Sequence, residues 1–471
     1  MALPDHEPVT RAERRALGLL LVVLACVYLP GLRGEILDWD DDLWFADPAL
    51  QDPSLAFTTT RDRVWAPLLR LSMAARHAVF GTHVFAWHAV DLLLWLAVVS
   101  GVWLLLRRFG LPRATALAAT ALWACHPTKV EVVSWLMGSK DLESGAWFVG
   151  AALVAVTGGA AWAVAALVLG AVLTKAATFP IALVLLVAIA AREGWRTAVR
   201  RVGPAVVVAI VVAFVGLVSW STREDQGGWI DRFVLAGSVH GLFWLKVWSL
   251  LGPPSAITAL TPNPWRPLVF GVVCTGLFAA LAWRDRRFAV PLAVWLLPQL
   301  PFLGVVDMGF WASDRHLFFP TLGVAVALAW LLERAPGVPL LLSAVLLVPT
   351  ALRVPEWRSS IALWEADTER PGNHPIRWYK LGMAYGKAGR FVEAEAAFDR
   401  QLELRPDDPL ALARRLVASL AADGSFTRAD AQAAATLEPP PETSDDWRRA
   451  ADALKAAGRP DLAVRAAGHA D

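Results

Sequence analysis

The stretch RAERRALGLLLVVLACVYL, residues 11–29, sets the reading of the chain: three arginines and a glutamate within five residues, then an unbroken apolar run from Leu17 to Leu29. A basic patch followed by such a run opens either a signal peptide or a membrane span. Leu32-Arg33-Gly34 makes a poor cleavage site, so the segment is expected to remain as a first span. The pattern then recurs. Apolar segments begin near Phe85, Arg113, Glu143, Gly159, Thr178, Pro204, Pro267, Phe288, Leu317 and Gly337, giving about eleven spans of a length that crosses ~30 Å of hydrocarbon. Composition agrees, because 56% hydrophobic and 18% charged residues over 471 positions exceed what a soluble core requires. The expected fold class is all-α, a polytopic membrane helical bundle.

Charge and cysteine usage narrow the possibilities. A net charge of +2 provides no basic field for nucleic acid. Cys26, Cys125 and Cys274 lie far apart in apolar stretches, which argues against a disulfide framework or a zinc site. The preference for arginine over lysine and the abundance of alanine fit a GC-rich bacterial genome, hence a bacterial inner-membrane location. Basic residues near span ends are retained in the cytoplasm. Arg11–Arg15, Arg107-Arg108, Arg192–Arg201 and Arg284–Arg287 are all inside only if Phe233 to Leu251 does not cross. That segment is therefore read as an interfacial or re-entrant helix, with Trp244 and Trp248 at headgroup depth. The N-terminus is then cytoplasmic and the C-terminus periplasmic. Four segments face the non-cytoplasmic side, at 34–84, 126–141, 221–265 and 305–316.

Beyond Leu352 the hydropathy falls and an internal repeat appears. Gly389, Gly424 and Gly458 recur at steps of 35 and 34, Ala394, Ala429 and Ala463 repeat those steps, and Phe391 and Phe426 are 35 apart. This is close to the 34-residue period of tetratricopeptide (TPR) helix pairs, in which small residues let two helices pack and a glycine closes the turn. The segment WYKLGMAYGKAGRFVEAEAAFDRQLELRP, 378–406, matches one unit best. The expected organisation is a membrane domain over 1–352, a linker with a half-repeat over 353–373, and a TPR solenoid of about three units over 374–471, the last two degenerate. Such arrays bind peptides or partner proteins, although a fold alone names no ligand.

Chemistry-bearing residues gather in the outward segments. Asp38-Trp39-Asp40-Asp41-Asp42-Leu43-Trp44 directly follows the first span; clustered carboxylates repel, which suits a general base or a cation ligand. The plain alternative is a solvated acidic loop anchored by tryptophans. His126, Lys129, Glu131, Lys140 and Asp141 fall within sixteen residues at a membrane boundary, where an unpaired charge is costly. Lysine can balance a phosphate there, and His126 or Glu131 can hold hydroxyls or move protons; a structural cap is the other reading. Lys175 has no acidic neighbour in sequence, so it either snorkels to the interface or meets an anion. Arg315 could fork onto a phosphate, or simply pair with Asp314. Lys175 sits at the outside end of a hairpin of spans, so the carboxylates, the His/Glu/Lys loop, this lysine and the Asp-Arg pair all fall on one side, which favours a site where a lipid-borne phosphosugar meets an acceptor.

The order WDDD, HPxxxExVxWxxGxKD, LLxK, xDRxLFxP and a repeat tail after Trp357 and Leu363-Trp364 resembles the transmembrane and tetratricopeptide-repeat O-mannosyltransferases and their bacterial relatives, of the GT-C class of membrane glycosyltransferases. The resemblance implies a GT-C-like core and a sugar, mannose in the family, carried on polyprenyl or dolichyl phosphate. It also implies transfer with inversion and an acidic base in the first outward loop. Position by position, the acidic motif falls on Asp40, Asp41 and Asp42, with Asp41 as the expected base. His126, Glu131, Lys140 and Asp141 match the second-loop motif, and Lys175, Arg315 and Lys140 match donor-phosphate positions. The chain departs from the pattern at Lys129, where relatives carry histidine, at Ala176, where they carry glutamate, and at His316 and Phe318, where they carry tyrosines. Whether a divalent metal sits on the aspartates is left open. The expected partners are a lipid-linked sugar, a protein or glycan acceptor and a peptide on the repeats, with no nucleic acid. Two rivals stand beside the enzyme: a non-catalytic scaffold recruiting envelope proteins, suggested by Lys129 and Ala176, and a lipid-linked sugar transporter, against which the spans carry few charges apart from Asp91.

Overall fold

Apolar helical patterning is realised throughout: in this computed structural model the described residues form helices and turns without a strand. They are 9–60, 64–218, 229–248, 264–303, 312–370 and 374–406, with a few single positions beyond. The chain divides into two compact units, Met1–Arg358 and Ser359–Asp471.

The first unit contains α1 (Arg11–Tyr28), α2 (Asp41–Phe45), α3 (Pro67–Phe80), α4 (Val84–Arg108), α5 (Arg113–Ala124), α6 (Val130–Ser134), α7 (Ser139–Val156) and α8 (Ala161–Thr174). It continues with α9 (Pro180–Glu193), α10 (Trp195–Val218), α11 (Trp229–Trp248), α12 (Trp265–Arg284), α13 (Ala289–Leu296), α14 (Pro320–Leu331) and α15 (Gly337–Arg353). Among the described residues, six helical segments are long and apolar enough to cross a membrane: Arg11–Arg33, Val84–Arg108, Ala176–Glu193, Trp195–Gly216, Trp265–Arg284 and Gly337–Arg358. About eleven were expected. Of the remainder, α8 and α14 are apolar but short, since 12–14 residues rise only ~18–21 Å at 1.5 Å each. Prolines explain one interruption: α13 passes at Leu297 into a 3-10 segment ending at Phe302, with Pro298 at its start and Pro301 inside it.

Small side chains let the helices approach. Ala151, Ala155, Ala171, Ala182, Ala198, Ala205 and Ala209 are buried where α7, α8, α9 and α10 meet, as expected where helices pack without a hydrophobic drive from water. Glycines do the same for α11 and α12: a Cβ on Gly241 would lie 1.7 Å from the Pro267 carbonyl oxygen, and one on Gly271 2.8 Å from the Gly241 Cα. Helix α11 therefore packs closely along α12, and Trp244 is buried between helices with its ring 4.2 Å from Trp295. Trp248 stays half-exposed. Helices α5 and α14 are buried along most of their length and pack on each other.

Between α1 and α3 the described residues form the short α2 and 3-10 turns at Leu29–Arg33, Pro48–Leu50 and Pro53–Ala56. Arg70 of α3 holds them. Its Nε and Nη2 donate to Asp47 Oδ2 and Oδ1, each at 2.8 Å, and its Nη1 donates to the carbonyls of Leu55, Ala56 and Thr59 at 3.0, 3.3 and 2.7 Å. Asp47 also accepts from the Ala49 N–H.

In the second unit, α16 (Ser360–Thr368) precedes a helical hairpin of α17 (Pro375–Lys387) and α18 (Phe391–Leu404). The turn needs Gly389, whose φ is +73°. Gly382 lies against the Phe398 ring, where a Cβ would come within 2.7 Å, and Tyr379 packs on the same ring at 6.0 Å. The two later repeat units, with Gly424, Phe426, Ala429, Gly458 and Ala463, lie outside the described residues.

Replacing Arg70 with methionine removes the guanidinium and leaves Asp47 buried without its cation, a change that typically costs about 3–5 kcal/mol. The variant is expected to melt well below the parent protein in detergent. An unchanged Tm would show that the bidentate pair does not hold the segment.

Candidate functional site

The tryptophan of the second outward motif, Trp135, is the hub of the site. It follows α6 in a stretch, 121–139, that is buried at every position, so the expected surface loop is a plug inside the first unit. The Trp135 ring stands 6.5 Å from Trp39 and 6.3 Å from Trp357. Two cations lie against it: the Lys140 Nζ at 4.7 Å and the Arg315 guanidinium carbon at 5.3 Å from the ring centroid. Such contacts stabilise a cation that has lost water.

The three cations expected to bind phosphate are brought together, and they differ in how they are held. Arg315 is oriented by Glu131, its Nη1 donating to Oε1 at 2.6 Å and its backbone N–H to Oε2 at 3.1 Å. Lys175, which follows α8, donates a short hydrogen bond to Asp141, so the acidic neighbour absent from its local sequence is supplied by α7. Its ammonium also lies 5.7 Å from the Phe302 ring, on which His316 stacks at 3.8 Å. Among the described residues, Lys140 has no hydrogen bond or ion pair, only the ring beneath it. Burial and the positive charges of Arg315 and Lys175 push its pKa down to about 8, against the pull of Asp40 and Asp141.

The acidic run after the first span separates into different environments. Asp41 is completely buried; Oδ2 accepts from the Leu37 N–H at 2.9 Å and Oδ1 from the Met137 N–H at 3.2 Å, which ties the stretch after α1 to the stretch before α7. Burial pushes its carboxyl up to about 8, outweighing those two hydrogen bonds. Asp40 is half-buried, and its charge is felt by both Asp41 and Lys140. Asp42 is exposed and accepts from the Leu43 N–H. No three His, Cys, Asp or Glu side chains converge as metal ligands among the described residues.

Other polar residues of the motifs have packing roles. Asp314 does not pair with Arg315; it accepts from Lys246 of α11 at 2.7 Å and from Arg353 of α15 at 2.8 Å. His126 lies between Thr128 Oγ1 at 2.9 Å and the Val247 carbonyl at 3.1 Å, and burial lowers its pKa to about 4. Lys129 is fully buried, donating to Thr128 Oγ1, the Leu317 carbonyl and Thr321 Oγ1, and burial drives its pKa down. Asp91 binds Arg76 at 2.6 Å, and Arg76 also binds Glu143 at 2.8 Å. The residues the motifs left unassigned are Trp135, Lys246 and Arg353. Trp135 was visible as the tryptophan of the motif flanked by charges, whereas Lys246 and Arg353 carried no signal, being single cations in apolar runs.

The Asp41 carboxyl gives a pH signature. Its ordinary value is 3.8 and its folded value about 8, so between these the folded protein holds a proton that the unfolded chain has lost. The stability it contributes is full below the lower value and is lost as pH rises through the upper one. The Tm is expected to fall between about pH 5 and pH 8. In Asp41→Asn the fall should be shallower; the Tm at pH 5 should also be lower, because an amide offers only one oxygen to two backbone N–H donors. An Asp41→Asn variant with the parent's pH slope would remove Asp41 as the source.

Compared with protein-family models, with characterised proteins and with solved structures, the chain matches none.

Proposed function

We propose that this protein is a membrane glycosyltransferase that moves a sugar from a polyprenyl-phosphate carrier to a protein or glycan hydroxyl on the non-cytoplasmic face. The observation that carries the reading is Lys140, an ammonium without a bonded carboxylate, set beside Arg315 and Lys175 and over Trp135. Gathering like charges raises the energy of the empty site, and an anion entering it removes that cost. Glu131 and Asp141 each already neutralise one cation, which leaves the third to a ligand.

In the reaction, the acceptor hydroxyl oxygen forms a bond to the anomeric carbon while the bond from that carbon to the phosphate oxygen breaks. The hydroxyl proton passes to a carboxylate and the electron pair leaves with the phosphate, where Lys140, Lys175 and Arg315 stabilise it. Of the three candidate aspartates, Asp40 fits the base best. It is partly accessible and near Lys140, while Asp41 beneath it has both oxygens engaged by backbone and is sealed from solvent. Asp41 then acts as a positioning residue that locks the two outward segments together. The repeat-like second unit would hold the acceptor, in keeping with the resemblance. The scaffold reading loses one support in the packing of Lys129, whose amine bonds to Thr128, Leu317 and Thr321 as a buried strut.

The test is transfer by the full-length protein in proteoliposomes from radiolabelled polyprenyl-phosphate mannose to a protein acceptor mixture. Asp40→Asn should lower kcat by about a hundredfold or more at unchanged Tm, and Asp42→Asn should stay close to the parent. Lys140→Met should raise KM for the donor, with Lys140→Arg partly restoring it. Full activity of Asp40→Asn would sink the assignment of the base. Absence of transfer from mannosyl, glucosyl and aminoarabinosyl polyprenyl phosphates, with a pull-down that depends on residues 359–471, would replace the enzyme by the scaffold.

A further inference from the structure

Away from the site, a cavity of about 500 Å³ runs between α4, α7, α9, α13 and α14, within the ~300–1,000 Å³ usual for a bound small molecule. Its walls are apolar, with Phe148, Val184, Val294 and Leu322 among them. Its two ends differ. One lies at Ile181, Pro298 and Phe319, a few residues past Lys175 and Arg315; the other is ringed by Arg192, Arg286, Arg287 and Glu333.

Two of the three segments that supply those ring residues, at 192 and at 286–287, are ones that charge bias groups on one side of the membrane, and the helices bring Glu333 to the same mouth. Arg192 donates to the Arg108 carbonyl and Arg287 pairs with Asp285 at 2.7 Å and Glu333 at 3.5 Å. Arg286 is exposed and, among the described residues, its guanidinium has no hydrogen bond or ion pair. The depth is also informative. From Ile181 to Arg192 along α9 is about 16 Å at 1.5 Å per residue, roughly half of the ~30 Å hydrocarbon core. An apolar shaft one leaflet deep with guanidinium groups at its mouth matches one lipid of that leaflet, tail inward and anionic headgroup at the arginines; basic pockets between membrane helices recognise such headgroups.

We infer that this cavity is a binding site for an anionic phospholipid of the leaflet that contacts Arg192, Arg286 and Arg287. The site is separate from the sugar-transfer reading and does not require it. A lipid held there fills the space beneath Phe319 and Ile181, so it supports the helix ends from which Arg315 and Lys175 project.

Native mass spectrometry of the full-length protein in detergent, titrated with dioleoyl phosphatidylglycerol or dioleoyl phosphatidylcholine, tests this. Phosphatidylglycerol should bind about tenfold tighter and raise the Tm, while phosphatidylcholine should do neither. Arg286→Glu, an exposed change that leaves the lipid-free Tm unaltered, should erase most of that preference. Ala188→Phe, which fills the cavity, should weaken both lipids. Equal binding of the two lipids by the parent, or an unchanged preference in Arg286→Glu, overturns the proposal even if Ala188→Phe fails to fold. So does a polyprenyl phosphate that displaces phosphatidylglycerol equally well from the parent and from Arg286→Glu.

Discussion

Two consecutive residues of opposite sign, Asp314 and Arg315, hold the first unit together by reaching for different partners. Asp314 joins α11 and α15 through Lys246 and Arg353, while Arg315 joins the stretch before α14 to α6 through Glu131. Each is a buried ion, and a buried ion without its partner costs several kcal/mol. The register of these segments is therefore set by charge as much as by packing. A slip of one residue before α14 would set Arg315 against Lys246 and Arg353, or in the other direction Asp314 against Glu131, so like charges would meet either way. Arg353 adds a donation to the Pro127 carbonyl, so the plug that carries Trp135 is fixed from the same side.

Part of this was legible in the sequence and part was not, for physical reasons. The helical class followed from apolar runs, whose length and lack of charge are strong signals. Helix ends were less visible, because 3-10 turns at 127–129, 136–138 and 297–302 break apolar stretches without changing their composition. The clustering of Lys140, Lys175 and Arg315 was suggested by the expectation that all three lie on one side of the membrane, and the structure brings them together around Trp135 and Asp141. Their individual pairings were not readable, since Arg315 and Glu131 stand 184 positions apart and Lys175 and Asp141 stand 34 apart. Local sequence offered an Asp314–Arg315 pair as the alternative to a phosphate site; packing pairs each of the two with a distant residue instead. Nor could the acidic run show which aspartate is sealed, because burial of Asp41 depends on backbone donors at Leu37 and Met137.

The first unit is thus polarised along its helices. Segments 131–141, 175 and 315 bring charges to one end, where they are paired or stacked on rings, and the opposite ends of α9, α13 and α14 carry Arg192, Arg286, Arg287 and Glu333. Between them lie alanine-lined contacts and an apolar shaft. Helix α9 links both ends, following Lys175 at one side and ending near Arg192 at the other.

The separation of partners along the chain also orders events during synthesis. A ribosome adding roughly 5–20 residues per second needs about 10–40 s to pass from Glu131 to Arg315. For that interval Glu131 is without its cation, and Asp141 meets Lys175 long before either meets Arg315. The charged end of the unit is consequently the last part to close. A nascent chain halted before residue 315 would carry Glu131 among apolar helices without the guanidinium that hydrogen-bonds it.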